Sequence, residues 1–191
     1  MKRIKWCVIV LALLALAGPG RALAQDGKQG QEATGGMPGA SAEEMQRMQA
    51  LMSPGAQHKA LARVAGEWKT SMKMWMGPGE PQVQTGTATG EMVHGGRYAL
   101  TRHQATFMGM PFEGTSLDGY DNARKEYFTI WIDNFGTGVM HQRGRPAAEG
   151  DGIDFAGTMF DPMVGKEVPV RETVRWEGDD RYVFEMFGPM P

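Results

Sequence analysis

The stretch GEWKTSMKMWM, residues 66–76, decides the fold because its side chains alternate between an apolar and a polar face. The polar face carries Lys69, Ser71 and Lys73. The other face carries a tryptophan, a threonine and three methionines: Trp68, Thr70, Met72, Met74 and Met76. A period of two is typical of a β-strand with one buried side. The turn residues that follow, 77–81, end this strand.

The same alternation returns three times toward the C-terminus. Apolar side chains share one face within residues 153–159, 168–176 and 182–186. Clusters of glycine, proline, asparagine and aspartate separate the strand-like segments at short, even intervals. Such spacing indicates an antiparallel barrel or sandwich and not an alternation of strands with helices. The sequence therefore predicts an all-β fold of about nine strands within residues 66–187.

Residues 41–64 are predicted to form a helical lead-in of one or two short helices. Ser41 stands three residues before Glu44, which is the spacing of a capping box. Three methionines then form one helical stripe: Met45, Met48 and Met52. We interpret the stripe as the side of a helix that lies against the barrel, with a metal-binding or partner-binding face as the alternative. A second short helix through Val64 leads directly to Gly66.

Residues 1–24 have the pattern of a cleavable signal peptide. A basic start precedes an apolar core of about a dozen residues, and Ala22-Leu23-Ala24 supplies a cleavage site. An apolar stretch this short falls below the roughly 17–25 residues that span a bilayer. We therefore expect cleavage and not a membrane anchor, with a periplasmic or secreted protein that begins at Gln25. Residues 25–40, rich in glycine and glutamine, are predicted to be a disordered linker.

Composition narrows the classes of function. The only cysteine, Cys7, lies in the leader, so the mature protein has no disulfide, cysteine nucleophile or thiolate metal site. The leader carries four of the 20 basic residues and none of the 22 acidic ones, which leaves a net charge of about −6. A mildly acidic chain without basic runs argues against a nucleic-acid partner and against stable membrane association. We expect one folded domain, residues 41–191.

Several longer motifs resemble a known family. They are HKALARVAGEWKTSMKMWM from His58, GGRY at residues 95–98, FMGMPFEG at 107–114, GYDNARKEYFTIWID at 119–133, and DPMVGK at 161–166 followed by VRETV. In this order they resemble the bacterial domain-of-unknown-function family 1579. The resemblance implies a calycin-like (lipocalin-like) barrel and carries no established activity or site. In calycins a Gly-x-Trp opens the first strand, so Gly66 and Trp68 are expected to be structural, with the tryptophan plugging the closed end.

The last residues raise the question of how the barrel closes. Members of the resembled family continue beyond the position of Pro191 into a further strand. The residues Gly188-Pro189-Met190-Pro191 are unfavourable for a strand, because proline has no N–H to donate to a ladder. An edge strand without a partner tends to pair with another chain. We therefore expect an incompletely closed barrel whose gap is partly covered by the 41–52 helix or by a neighbouring molecule.

Sequence motifs assign no catalytic residue and no metal site. The chain has no Gly-x-Ser-x-Gly elbow, no His-Glu-x-x-His, no phosphate-binding glycine loop and no EF-hand series. Asp118, Asp121 and Asn122 fit a hairpin turn better than a calcium loop. Glu172 lies on the apolar face of its strand, so we expect an inward carboxyl with a raised pKa. Its expected ion-pair partner is an arginine, either Arg102 or Arg171.

The histidines and methionines are the remaining candidates for a ligand site. His58 and His94 are expected to be solvated, whereas His103 and His141 fall within strands and either could enter the cavity as a haem or metal ligand. Fifteen methionines remain after the leader is removed. Thioethers suit copper, but Met-x-Met on a strand places the sulfurs about 7 Å apart, too far for one ion. Lining of a pocket or core is the preferred interpretation.

Three functions are compatible with these features. The first is a barrel that binds a small apolar molecule in its cavity, which is where such sites form. The second is a calycin-type enzyme, either haem-dependent or an isomerase that uses Glu172. The third is an accessory or interaction protein without a small ligand. The residues predicted to line the pocket are Met72, Met74, Arg102, His103, Trp131, His141 and Glu172.

Overall fold

The computed structural model describes residues 40–75, 79–162 and 164–188, and the predicted signal peptide and most of the predicted linker lie outside this range. Two helices come first, α1 (Ala42–Met52) and α2 (Ala56–Leu61), followed by a 3₁₀ turn at Ala62–Val64. The nine strands are β1 (Gly66–Met74), β2 (Gln82–Val93), β3 (Tyr98–Phe107), β4 (Met110–Asp121), β5 (Glu126–Asp133), β6 (Met140–Pro146), β7 (Gly152–Asp161), β8 (Lys166–Trp176) and β9 (Tyr182–Phe187). In these residues no helix has the length and apolarity needed to cross a membrane.

The strands form a single antiparallel sheet in which each strand pairs with the next along the chain. The sheet curls into a half-barrel, which confirms the predicted all-β, calycin-like fold. Every ladder keeps its register without a bulge, so alternate residues of all nine strands share one face. The face that holds the buried side chains is the concave one, and its first strand contributes Trp68, Thr70, Met72 and Met74.

The helical lead-in plugs one end of the half-barrel, called the closed end below. Leu61 of α2 packs with the buried residues Ala99, Tyr127 and Phe155. The 3₁₀ turn approaches β2 so closely that a Cβ on Gly90 would lie 2.0 Å from the carbonyl oxygen of Val64. A residue without a side chain is therefore required at this contact.

Helix α1 begins as predicted but does not pack as predicted. Ser41 Oγ accepts the backbone N–H of Glu44 at 3.2 Å, while Glu44 Oε2 accepts the N–H of Ser41 at 2.7 Å, which completes the capping box. The expectation that the methionine stripe lies against the barrel is wrong, because α1 does not pack on any strand; Met45 and Met48 are half-buried and Met52 is exposed. The helix is held at its C-terminal end, where Asn122 Nδ2 donates to the carbonyl of Ser53 at 2.8 Å.

The two ends of the sheet meet without a backbone ladder. In the described part of the chain β1 pairs only with β2, and β9 only with β8. Trp68 of β1 instead contacts Tyr182 and Trp176 edge to face, with ring centroids 5.2 and 6.1 Å apart. We call these three residues the aromatic contact. The incomplete closure agrees with the sequence-based expectation.

The 3₁₀ turn, and not α1, bridges the gap at the closed end. The indole Nε1 of Trp68 donates to the carbonyl of Val64 at 2.8 Å. The guanidinium of Arg63 lies 4.1 Å from the ring centroid of Trp176 and forms an ion pair with Asp151 at 2.6 Å. The expectation that α1 covers the gap is therefore wrong, since α1 ends instead against the β4–β5 turn at Asn122.

The aromatic contact predicts a large effect of Trp68→Ala. The half-buried indole links β1 to β8, β9 and the 3₁₀ turn, so its removal should lower the free energy of unfolding by roughly 3 kcal/mol. Trp68→Phe keeps a ring and loses the N–H donor, so it should cost about 1 kcal/mol. Urea unfolding measures both values. Trp75→Ala is the matched control because Trp75 is 56% exposed. Equal stability of the Trp68→Ala and Trp75→Ala proteins would contradict the assignment.

Candidate functional site

The concave face is divided into three layers along the strands. The closed end is the apolar core described above, and it includes the partly buried Met92, Ile153 and Val174. A layer of polar side chains follows. Beyond it lies an apolar mouth at the opposite ends of the strands. The middle layer is the unusual one, because polar side chains are seldom buried in the interior of a sheet without partners.

The polar layer is built by register across the centre of the sheet. Asp118 of β4 lies opposite Thr129 of β5, and Thr129 lies opposite Gln142 of β6. Thr101 and Glu172 complete the layer from β3 and β8. Thr101, Thr129, Gln142 and Glu172 are buried, and Asp118 is half-buried. The Ser116 hydroxyl donates to Asp118 Oδ2 at 3.1 Å. The centre of the concave face is therefore polar and acidic.

Gln142 and Glu172 lie diagonally across β7, where Gly157 is the register partner of Gln142 and Phe155 that of Glu172. A Cβ on Gly157 would lie 2.9 Å from Cγ of Gln142 and 2.8 Å from the carbonyl oxygen of His141. The Gln142 side chain occupies this space, and its Nε2 donates to the sulfur of Met140 at 3.4 Å. Any larger residue at position 157 would displace the amide.

Two oxygens of the polar layer have no hydrogen-bond partner among the described residues. They are Oε1 of Gln142 and Oε1 of Glu172. The residues that carry them are 1% and 3% exposed. A buried acceptor without a donor costs about 1–3 kcal/mol. Both oxygens are therefore suited to bind a group that donates hydrogen bonds.

The carboxyl groups of this layer hold their protons more tightly than usual. Burial raises the pKa of Glu172 to about 7, the Gln142 side chain partly offsets this effect by hydrogen bonding, and the charge of Asp118 adds to it. Burial also raises the pKa of Asp118, while the hydroxyls of Thr129 and Ser116 act in the opposite direction. Near neutral pH Glu172 therefore exchanges its proton readily.

The mouth is lined by apolar and aromatic side chains. The Trp131 ring lies over Gly114, where a Cβ would come within 2.4 Å of it, and its centroid is 5.3 Å from that of His103. Its Nε1 donates to Asp133 Oδ2 at 2.8 Å. Burial lowers the pKa of His103, which favours the neutral imidazole. Three concave side chains near the gap between β1 and β9 remain 40–52% exposed: Met72, Phe184 and Met186.

The structure brings five of the seven predicted pocket residues together. Met72, Met74, His103, Trp131 and Glu172 lie on the concave face. The other two predicted residues lie on the convex face, where Arg102 forms a 2.7 Å ion pair with Glu91 and His141 is exposed.

The predicted ion pair of Glu172 is absent from the described residues. Arg102 and Arg171 both lie on the convex face, and the Arg171 guanidinium is instead 5.4 Å from the ring centroid of Phe187. An inward arginine would need a break in the alternation of its strand, and neither strand has one. Glu172 consequently remains without a cationic partner.

Two further residues differ from expectation. His58 is buried at the closed end, where its Nδ1 accepts the N–H of Gly55 at 3.0 Å and its ring lies 5.9 Å from that of Tyr120. Its predicted solvation is therefore wrong. Asp118 does not belong to the hairpin turn, which is formed by Asp121 with the N–H groups of Ala123 and Arg124.

Sequence reasoning missed Asp118, Thr129 and Gln142 as members of the site. Each was detectable by position: Asp118 lies two residues from Ser116 and from Tyr120, in step with the concave face of its strand. Polar residues at such positions weaken the apolar alternation, so the signal was read as a turn. In the described residues no three His, Cys, Asp or Glu side chains come close enough to hold a metal ion.

One family model matches the chain over residues 53–191, and its description is protein of unknown function (DUF1579). The match covers the second helix and the whole sheet. No curated protein and no solved structure matches the chain.

The raised pKa of Glu172 predicts how stability depends on pH. Between its ordinary value of 4.5 and about 7, the folded protein keeps a proton that the unfolded chain has lost. Stability contributed by this proton is therefore lost as pH rises through that window. Glu172→Gln stays neutral, so its free energy of unfolding relative to wild type should increase by up to roughly 3 kcal/mol between about pH 4 and pH 8.

Urea unfolding at several pH values measures this difference. Glu167→Gln is the matched control, because Glu167 lies on the exposed convex side of the same strand. A difference between Glu172→Gln and wild type that does not change with pH would show that Glu172 titrates as an ordinary carboxyl.

Proposed function

The chain belongs to the DUF1579 family, and we propose that it is an exported protein that binds a small molecule with an apolar part on the concave face of its half-barrel. The observation that carries the proposal is the arrangement of an exposed apolar mouth above a buried polar layer. Ligand sites are typically concave and mostly apolar, with a few polar groups that fix the orientation of the ligand.

The exposed apolar side chains support this proposal. Met72, Phe184 and Met186 are concave, yet they face the gap between β1 and β9 and stay partly exposed. Contiguous exposed apolar surface in a water-soluble domain commonly marks a binding site. Methionine suits a site that accepts irregular apolar groups, since its side chain is flexible and polarisable.

Export is supported by the sequence. Residues 1–24 have the charged start, apolar core and small-residue cleavage site of a signal peptide. The remaining chain has no cysteine, so an oxidising compartment would neither form nor reshuffle disulfides in it. The proposed location of the mature protein is therefore periplasmic or extracellular.

A calycin-type enzyme is the second candidate, and one observation favours it. Glu172 is buried on the concave face with a pKa of about 7, which suits a general acid or base at neutral pH. A haem-dependent version would rely on His103, whose imidazole faces the mouth beside Trp131. Binding ranks first because the exposed apolar surface is larger than proton transfer alone requires.

Native mass spectrometry and an absorbance scan of protein isolated from the periplasm test the proposal. We expect the mass of a chain that begins at Gln25, together with the additional mass of a non-covalent amphiphile. Met186→Glu introduces a charge at the mouth and should abolish the bound mass. Ile132→Glu is the matched control, because Ile132 is an exposed apolar residue on the convex face of β5.

The other possible results of these two measurements would contradict ligand binding or export, or favour another function. Protein without bound mass, before and after incubation with lipid extract, would contradict ligand binding and favour an accessory role. A Soret band would favour the haem enzyme. A mass that retains residues 1–24 would contradict export.

A further inference from the structure

The charges on the concave face are mostly acidic. Its alternating positions on the nine strands carry Asp118, Asp133, Asp161 and Glu172, and the basic side chain at these described positions is Lys166, which is exposed at the mouth end of β8 opposite Asp161. Asp133 is already engaged, because its two oxygens accept the N–H groups of Trp131 and Phe135. His103 also lies on this face, and burial lowers its pKa, which favours the neutral imidazole.

The arginines at the closed end do not alter this balance. Arg63 forms its ion pair with Asp151 and donates to the carbonyl of Gly178 at 2.8 Å. Arg97 donates to the carbonyls of Met52 and His94. Both guanidinium groups are thus bound at the rim of the closed end. Among the residues that the structure describes, the polar layer holds no cation that would balance Glu172.

The hydrogen-bonding pattern, like the charge, favours a ligand that donates hydrogen bonds. The unpartnered atoms Gln142 Oε1 and Glu172 Oε1 are acceptors, and both lie at the bottom of the apolar mouth. Met186 is the register partner of Glu172, so an exposed apolar side chain lies directly beside this carboxyl. A molecule that satisfies this arrangement has a donor-rich head and an apolar chain next to it.

We propose that the concave site selects amphiphiles with an ammonium head, which donates to Glu172 and Gln142 while the apolar chain lies along the methionine and aromatic side chains of the mouth. This assignment rests on the proposed ligand-binding function and names its ligand class. An ammonium group supplies three donors and one positive charge, and the site offers two unpartnered acceptors and two weakly compensated carboxyl groups.

Other head groups fit this site less well. A carboxylate head would place a third negative group beside Asp118 and Glu172, and no arginine or lysine of the described polar layer is there to pair with it. A hydroxyl head donates one hydrogen bond, so one of the two acceptors would stay unpaired. Ammonium binding also compensates for the buried charge of Glu172, because an opposite charge in contact favours the ionised carboxyl.

Binding of an ammonium head should therefore become tighter as pH rises. Asp118 of β4 acts on Glu172 electrostatically, and the other titratable groups that share its face of the sheet in this region are His103 of β3, Lys166 of β8 and Tyr182 of β9. Glu172 loses its proton near pH 7, and Asp118 and His103 change charge in the same sense, toward a more negative site. Tyr182, whose pKa is raised by burial, stays neutral over this range.

Isothermal titration calorimetry of the mature protein with dodecylammonium, dodecanol and dodecanoate, each below its micelle concentration, tests the assignment. At about pH 8 we expect the affinity for dodecylammonium to be higher than that for either other probe by about tenfold or more. Glu172→Gln should lower the affinity for dodecylammonium by about tenfold or more, and it should remove most of the pH dependence of that affinity. Glu167→Gln on the convex face of the same strand should bind like wild type.

The outcomes distinguish the head-group assignment from the ligand-binding function on which it rests. Dodecanoate binding as tight as dodecylammonium binding would overturn the head-group assignment and leave ligand binding intact. Equal affinity of wild type and Glu172→Gln for dodecylammonium would overturn the location of the head. Failure of all three probes to bind would overturn the assignment together with the function it rests on. Thermal melting of each variant verifies that the compared proteins are folded.

Discussion

The structure depends on a sheet that curls until its ends meet through side chains and not through a ladder. Trp68 joins β1 to Trp176 and Tyr182, and the 3₁₀ turn at Ala62–Val64 holds the same point by hydrogen bonding and a cation–π contact. A backbone ladder would bring the strands together along their whole length. A contact at one end leaves the opposite end of the concave face accessible.

This incomplete closure explains how one face holds both a core and an open surface. Near the aromatic contact, α2 and the rings of Tyr127 and Phe155 exclude water. Farther along, Phe184 and Met186 of β9 pair with β8 and with no second strand of the described residues, and they remain exposed. Glu172 lies between these regions, where burial raises its pKa to about 7. The polar layer lowers the stability of the empty protein, since buried unpaired acceptors and carboxyl groups are unfavourable.

The sequence predicted the fold better than it predicted the site. Alternation within Gly66–Met74 and at Tyr182–Phe187 identified strands and their faces, because one buried side imposes a period of two. The inward position of Glu172 followed from the same rule. Arg102 and His141 were misplaced because their strands have mixed composition on both faces. The grouping of Asp118 with Gln142 could not be predicted, since it depends on the register between strands and on the space above Gly157.

The central claim is that Glu172 is a buried carboxyl on the concave face, without a cationic partner among the described residues. Its side-chain ¹³C chemical shift, followed by NMR through a pH titration and assigned with Glu172→Gln, tests this claim most directly. The account predicts a titration midpoint near 7 in the free protein, and a lower midpoint when dodecylammonium is bound. A midpoint near 4.5 in the free protein, unchanged by the amphiphile, would contradict it.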